Sequence, residues 1–501
     1  MDRRIRILAL VLVVLFGALL VQGANVQFRR SEALASSPNN PRIQAQKLSQ
    51  SRGQILAADG TVLAQSVPTP NGTYKFQRVY PQGALMGQIT GVDSINYGLY
   101  GIEASYDSYL TSHKQPASSI TQLLSPQTST DSVTLTAVPS LQQDAMDALA
   151  GRNGAVVAID PRNGNVEAMY SNPNYDPNPL ADPSAAVEAF AWGAYNTANA
   201  AGFKPFSPLA YRSAFPPGST FKVVTATAAY AKAPELTTKS YPSLATTPLP
   251  DTNQTLSNYG FSSCGGTIAE MLPPSCDTGF ALLGLDLGAQ NLWEQATEFG
   301  FNSVPPLDIP GVEPSNFPTP AELAHNLPGL AYSAIGQEDV DATALQNALD
   351  AAAIANKGSL MAPHLMSSIR DQQGNLIKAY QPKQWQATTT QAVAAQISTL
   401  MQEVVTNGTA SGIFNPAFKV AAKTGTAQTS LTNVNTSTDD WMIAFAPADN
   451  PVIAIAVVVP NQTLSATGAT IAGPIMNCMI QRSLAYAGNL AARLNPASCN
   501  L

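Results

Sequence analysis

The chain has 501 residues, with 26 Lys and Arg against 33 Asp and Glu for a net charge of −7. At roughly 150 residues per domain this gives about three units and excludes a peptide-sized scaffold. Only 12% of residues are charged and 45% are hydrophobic, which argues against a nucleic-acid binder and against general disorder. Gly and Pro together, 34 and 38 residues, predict many punctuated loops between the ordered elements.

Arg3, Arg4 and Arg6 precede an apolar run from Ile7 to Val21 that continues weakly to Val26. Ile7 to Val26 is 20 residues, which as a helix covers about 30 Å, enough to cross the hydrocarbon layer. A cleaved signal peptide is the competing reading, although Val21-Gln22-Gly23 is only a tolerable cleavage site. The leading Arg cluster predicts a cytoplasmic N-terminus, with the rest of the chain outside the cytoplasm. From Gln27 to Ala137 the text is polar, with short strand-like pieces at Gly53 to Leu56 and Thr61 to Ala64 around the turn Asp59-Gly60. This predicts a small module next to the membrane.

A second composition starts at Val138. Leu141 to Leu149 reads as a helix, followed by strands Gly154 to Ile159 and Val166 to Tyr170 around Asp160-Pro161-Arg162-Asn163-Gly164. Near the other end Trp441 to Ala446 and Val452 to Val459 form a second hairpin, and Ala-rich helices such as Phe221 to Tyr230 and Ala342 to Ala355 lie between the two. Hairpins at both ends enclosing a helical insert predict one large domain, its antiparallel sheet closed by both ends of the chain. The domain boundaries expected are therefore 1–26, 27–137 and 138–501.

The sharpest local feature is Phe215-Pro216-Pro217-Gly218-Ser219-Thr220-Phe221-Lys222. Ser219 stands where a helix starts, and Lys222 at i+3 shares its face, within reach of the hydroxyl. A serine hydroxyl needs a base to act as a nucleophile, and a buried lysine can supply one. The S-x-x-K spacing occurs once and is expected about once by chance, so on its own it fits a Ser N-cap with a surface Lys. The second feature, Lys423-Thr424-Gly425-Thr426, lies on a strand-like run from Phe418 to Thr429. Gly425 lets a ligand backbone approach, while Lys423 and Thr424 suit a carboxylate. S-x-x-K followed by K-T-G is far more specific than either alone.

With these two motifs the chain resembles the class B penicillin-binding proteins, which carry a membrane anchor, a pedestal module and a C-terminal D,D-transpeptidase domain. The resemblance spans nearly the whole chain, through Arg52-Gly53-Gln54-Ile55, Gly101-Ile102-Glu103, Gly154 to Pro161, Tyr175-Asp176-Pro177-Asn178, Gly336-Gln337 and Ala355-Asn356. It implies an α+β fold of the penicilloyl-serine transferase or β-lactamase-like type: an antiparallel sheet flanked by helices, with an all-helical subdomain, preceded by a transmembrane helix and a β-rich pedestal. It also implies that Ser219 attacks the carbonyl between two D-alanines of a stem peptide and that Lys222 acts as base. The N–H groups of Ser219 and Thr426 would form the oxyanion hole, and Lys423 and Thr424 would hold the donor carboxylate or that of a β-lactam, on a substrate-binding strand that also includes Gly425.

The third family motif, S-x-N, falls best on Ser275-Cys276-Asp277, where Asp277 replaces the expected Asn. An ionised Asp only accepts hydrogen bonds, so a donor to the substrate is lost, and a carboxylate near Lys222 favours its charged form. Slower acylation is therefore expected, with Ser275 still relaying a proton between Lys222 and the leaving amine. Of the four Cys, Cys264 with Cys276 and Cys478 with Cys499 each close a local segment and are the expected pairs; buried free thiols are the alternative.

His113, His325 and His364 show no link to a nucleophile elbow, which argues against a Ser-His-Asp hydrolase. The anchor and pedestal argue against a free β-lactamase. A catalytically weak or inactive homologue, acting as a scaffold or a β-lactam-binding protein, remains the alternative function. No cofactor or metal is expected, since there is no His/Cys ligand cluster and no P-loop. The partners implied are peptidoglycan stem peptides, β-lactams, the membrane and a SEDS-type glycosyltransferase, with no nucleic acid.

Overall fold

The computed structural model describes residues 3–24, 49–69, 74–111, 113–114, 128–429 and 437–488. Helix α1, Arg3–Ala24, has 22 residues and none of them is buried. At ~1.5 Å per residue it is about 33 Å long, and its uniformly exposed apolar side chains have no protein surface to pack on. It is the one described helix long and apolar enough to cross a membrane.

The module that follows in the chain is built on a six-stranded sheet. Its strands run in the order Leu376–Ala379, Met366–Arg370, Ser132–Leu135, Ile55–Leu56, Val62–Pro68 and Phe76–Val79. The turn at Asp59-Gly60 sits between the third and second strands from the end, and Gly60 takes a φ of 85°, which favours glycine there. Two of the six strands arrive from far along the chain. Met366–Arg370 pairs antiparallel with Ser132–Leu135 and buries Met366 and Ile369 beside Val133 and Leu135. Asp308 fastens this joint, accepting the N–H groups of Leu365 and Met366 at 2.6 and 2.8 Å and the Tyr106 hydroxyl at 2.6 Å.

Under the sheet Glu103, fully buried, takes Arg52 Nε and Arg78 Nε at 2.6 Å each. Burial raises the Glu103 carboxyl, but the two guanidiniums outweigh it and hold the group below its usual range. Removing one partner would leave a buried charge uncompensated.

The large domain begins with α2, Pro139–Leu149, and the hairpin of β1, Gly154–Ile159, and β2, Val166–Asn172. It closes with β3, Ala421–Thr429; β4, Ser437–Ala446; and β5, Ile453–Gln462. These five form one antiparallel sheet in the order β2-β1-β5-β4-β3. Both chain ends therefore meet at the β1–β5 pairing, as the two hairpins predict.

Burial runs without alternation through β1 and from Thr438 to Ala446 in β4, so both faces of the sheet are covered. One cover is α5, Ala344–Ala355, all of whose residues are buried. The other layer comes from α2 and α7, the C-terminal helix Gly468–Tyr486. Gly468 starts α7 hard against the sheet: a Cβ there would fall 2.2 Å from the Trp441 carbonyl oxygen. Next to the sheet stands a helical group comprising α3, Lys222–Lys232; α4, Asp277–Glu298; and α6, Gln391–Thr406.

Candidate active site

Ser219 sits in a short 3₁₀ turn, Gly218–Phe221, that runs directly into α3. Pro216 and Pro217 stop the preceding segment, and Gly218 takes a φ of 54° that a Cβ would disfavour. Four contacts fix this turn. The Gly218 N–H donates to the Gly336 carbonyl at 2.8 Å, and Trp441 Nε1 donates to the Pro216 carbonyl at 2.9 Å. Thr220 Oγ1 donates to the Pro217 carbonyl at 2.9 Å and accepts from Asn347 Nδ2 at 3.3 Å.

Lys222, one turn on, is fully buried. Its ammonium donates to the Ser275 carbonyl at 2.7 Å, to Ser275 Oγ at 3.3 Å and to Asp277 Oδ1 at 2.6 Å. This differs from the reach to Ser219 that i+3 spacing suggests. Among the described residues no hydrogen bond to the Ser219 hydroxyl is found, and the Lys222 ammonium is engaged by the Asp277 carboxylate and by the Ser275 carbonyl and hydroxyl. Burial pushes the Lys222 pKa down, and Asp277 pulls it back only in part. The expected opposition of Asp277 to a neutral lysine is present, yet desolvation is the larger effect.

Ser275 stands in the loop between Pro273-Pro274 and α4, with a φ of 63°. Its geometry is held from several sides. Its N–H donates to the Leu272 carbonyl at 3.1 Å, and the Cys276 N–H to the Met271 carbonyl at 2.9 Å. The Cys264–Cys276 disulfide pins the loop, and the Thr278 N–H donates to Asn258 Oδ1 at 2.9 Å. Cys478 is buried in α7, whereas Cys499, its expected partner, lies outside the described residues.

Lys423, on β3, is also fully buried and donates to Ser275 Oγ at 2.8 Å and to the Thr424 carbonyl at 3.0 Å. Burial pushes its pKa well below the ordinary lysine value, with the charge of Lys222 adding to the effect. Ser275 Oγ thus accepts from two lysines, one per motif, leaving its own proton free to donate elsewhere. Gly425 is required by the tight packing of β3 on the Ser219 turn, since a Cβ there would lie 2.7 Å from the Pro217 carbonyl oxygen. Gly218 in turn abuts the Thr426 peptide, which brings the backbone of Ser219 and Thr426 together. Thr426 Oγ1 accepts from the Gly468 N–H at 3.0 Å, and Thr424 Oγ1 lies 2.6 Å from Thr409 Oγ1.

All three sequence motifs therefore converge on one place. Asn258, Thr409, Asn347 and Trp441 are contributors the motifs do not reveal; Asn347 and Trp441 lie in a helix and a strand that the sequence predicts without marking either residue for the site, and Asn258 and Thr409 lie in loops between the motifs. His364 stacks on Tyr380 and bonds the Met366 carbonyl, beside the shared six-stranded sheet. No His/Cys/Asp/Glu cluster able to hold a metal is found among the described residues. A hydroxyl at a helix start, two buried lysines of depressed pKa and a bridging serine suit nucleophilic acyl transfer.

Residues 154–481 match the penicillin binding protein transpeptidase domain, and residues 52–133 match the penicillin binding protein A dimerisation domain. The chain is 36% identical to the peptidoglycan D,D-transpeptidase PbpA of Mycolicibacterium smegmatis, with 97% of this chain and 99% of that protein covered. It is 35% identical to PbpA of Mycobacterium tuberculosis, over 96% of this chain and 98% of the other. Among solved structures it is similar to penicillin-binding protein A of M. tuberculosis in its penicillin G acyl-enzyme complex. The TM-score is 0.77 at 34% identity, and 87% of this chain and all of that one are covered. The ceftriaxone acyl-enzyme complex of the same protein gives 0.78 at 34% identity, covering 88% of this chain and 100% of that chain.

Proposed function

Because the chain belongs to the penicillin-binding protein transpeptidase family, we propose that it cross-links peptidoglycan stem peptides as a class B D,D-transpeptidase working through an acyl-enzyme on Ser219. The observation that carries the assignment of roles is the meeting of Lys222 and Lys423 on Ser275 Oγ, next to the Ser219 turn. Lys222 in its neutral form takes the proton of Ser219 as the hydroxyl attacks the D-Ala-D-Ala carbonyl. Oxygen's negative charge then develops against the N–H groups of Ser219 and Thr426, a kind of contact worth about 2.7–4 kcal/mol per donor in acyl-transfer enzymes. Ser275 gives its proton to the departing D-alanine amine and recovers one from the protonated Lys222, which restores the neutral base, and Lys423 with Thr424 holds the donor carboxylate. An amine of a neighbouring stem peptide resolves the acyl-enzyme and makes the cross-link.

The ion pair between Asp277 and Lys222 favours a slow form of this same reaction over loss of it, since burial still depresses the lysine. We further propose the division 1–26 anchor, 27–137 pedestal and 138–501 transpeptidase, with 366–379 returning to complete the pedestal sheet. Helix α1 serves as a single-pass anchor with the N-terminus cytoplasmic and the catalytic domain outside, where a SEDS-type glycosyltransferase supplies glycan strands. Incubating the protein with a fluorescent penicillin tests the assignment. A stable adduct that survives denaturation and is lost in Ser219→Ala supports it; labelling that persists in Ser219→Ala, or no labelling of the parent, refutes it. Release of D-alanine from a pentapeptide donor, with an amine acceptor incorporated, distinguishes transpeptidase from scaffold.

A further inference from the structure

Thr409 lies three residues beyond the end of α6, at Thr406, and belongs to none of the three motifs. Its backbone N–H donates to the Pro273 carbonyl at 3.1 Å, two residues before Ser275. The neighbouring Gly408 packs so closely on Pro273 that a Cβ would fall 2.3 Å from the same carbonyl oxygen. The Thr409 hydroxyl lies 2.6 Å from the hydroxyl of Thr424, which is itself nearly buried at 5% exposure. One residue thus ties the Ser275 loop by its backbone to the Lys423-Thr424 strand by its side chain.

A threonine hydroxyl has one proton and two lone pairs. For Thr424 to donate that proton to a ligand carboxylate, it must be the acceptor in its bond to Thr409, so Thr409 donates. Donation by Thr409 fixes the rotor of Thr424 and polarises its O–H toward the anion, as in any hydrogen-bond chain. We infer that Thr409 is a positioning residue for carboxylate recognition, acting through Thr424 to select ligands that carry a free carboxylate. The inference rests on the proposed role of Lys423 and Thr424 as the carboxylate holders.

Acylation of the full-length protein by benzylpenicillin and by its uncharged methyl ester, measured in competition with a fluorescent penicillin, tests this. In Thr409→Val, which keeps the shape and removes the hydroxyl, acylation efficiency toward the acid falls about tenfold, the upper end for one lost neutral hydrogen bond. That loss lies in non-covalent affinity, leaving the limiting acylation rate unchanged, and efficiency toward the ester changes less than about twofold. Thr409→Ser restores acid preference. An equal loss on acid and ester, no loss on either, or failure of Thr409→Ser to rescue overturns the inference. Thr424→Val is the reference arm. If it too leaves the acid-to-ester ratio unchanged, the carboxylate role of Thr424 falls and the inference with it; if it lowers the ratio while Thr409→Val does not, the inference alone fails.

Discussion

Asp277→Asn removes one negative charge from a site where it touches the proposed base, and its consequences are calculable. Asp277 Oδ1 lies 2.6 Å from Lys222 Nζ, whose side chain is fully buried while that of Asp277 is 22% exposed. At this separation the Coulomb energy is about 1.6 kcal/mol in a water-like dielectric and about 6 kcal/mol at an effective constant of ~20. Even the smaller figure exceeds ~1.36 kcal/mol, the worth of a tenfold change in an equilibrium, so losing the carboxylate lowers the Lys222 pKa further in the variant. The neutral amine is then at least about tenfold more abundant on the acid limb; a weaker base offsets part of this and leaves a net acceleration of about threefold.

Stopped-flow acylation by a fluorescent penicillin from pH 5.5 to 9.5 reads both effects. The acid limb moves to lower pH and the rate at neutral pH rises, also because an Asn amide can donate to the substrate carbonyl. Stability moves the other way. A lysine whose pKa is lowered from 10.5 by burial holds fewer protons folded than unfolded, so stability rises with pH between its folded pKa and 10.5. Without Asp277 that window extends further to the acid side, and below it the buried ammonium loses its partner at a cost of about 3–5 kcal/mol. Thermal melts at pH 5 and pH 9 follow this. An unmoved acid limb, or acylation in the variant equal to or slower than the parent at neutral pH, refutes the reasoning.

Three further outcomes are expected. The Cys264–Cys276 bridge closes a segment of sequence separation 12, so replacing both Cys with Ala lowers stability by about 3 kcal/mol and slows acylation by loosening Ser275; unchanged melting and labelling would contradict this. Burial raises the Asp440 carboxyl from 3.8 to about 7, so the folded chain keeps a proton the unfolded chain has released and stability falls between about pH 4 and pH 7. The full shift corresponds to about 4 kcal/mol, and about half of that once water penetration relaxes the penalty. Denaturant titrations of Asp440→Asn should lack this slope and be more stable than the parent at pH 8; an identical slope in both proteins counts against it. Gly336, at a φ of 72°, has no room for a Cβ, which would sit 2.2 Å from the Gly218 carbonyl oxygen. Gly336→Ala should therefore cost about 2 kcal/mol or more and reduce penicillin acylation about tenfold by displacing the Ser219 turn. Parent-like acylation would show that the turn is not held from this side.

Local chemistry made much of the molecule readable in advance. The apolar run after Arg6, the Asp59-Gly60 turn, the two hairpins and the helix after Gly218 each depend on residues close together in the chain, and each appears where its own sequence places it. The motifs around Ser219, Ser275 and Lys423 were legible because each is a short fixed spacing of chemically distinctive side chains.

Contacts between distant segments are a different matter. Nothing in Met366–Arg370 or Leu376–Ala379 says that they complete the sheet begun by Ile55–Leu56, because a strand's partner is chosen by shape and burial far away in sequence. Thr409 likewise reads as an ordinary polar residue after a helix until Pro273 and Thr424 are brought beside it. The sequence by itself determined which groups could do chemistry and, through Asp277, that a carboxylate stands where an amide was expected. Only the tertiary structure decided how the balance falls. It seats the Lys222 ammonium on Ser275 and Asp277, and it buries the lysine deeply enough that desolvation outweighs the carboxylate. Both effects depend on what surrounds the ammonium in space, and a one-dimensional spacing carries no measure of that.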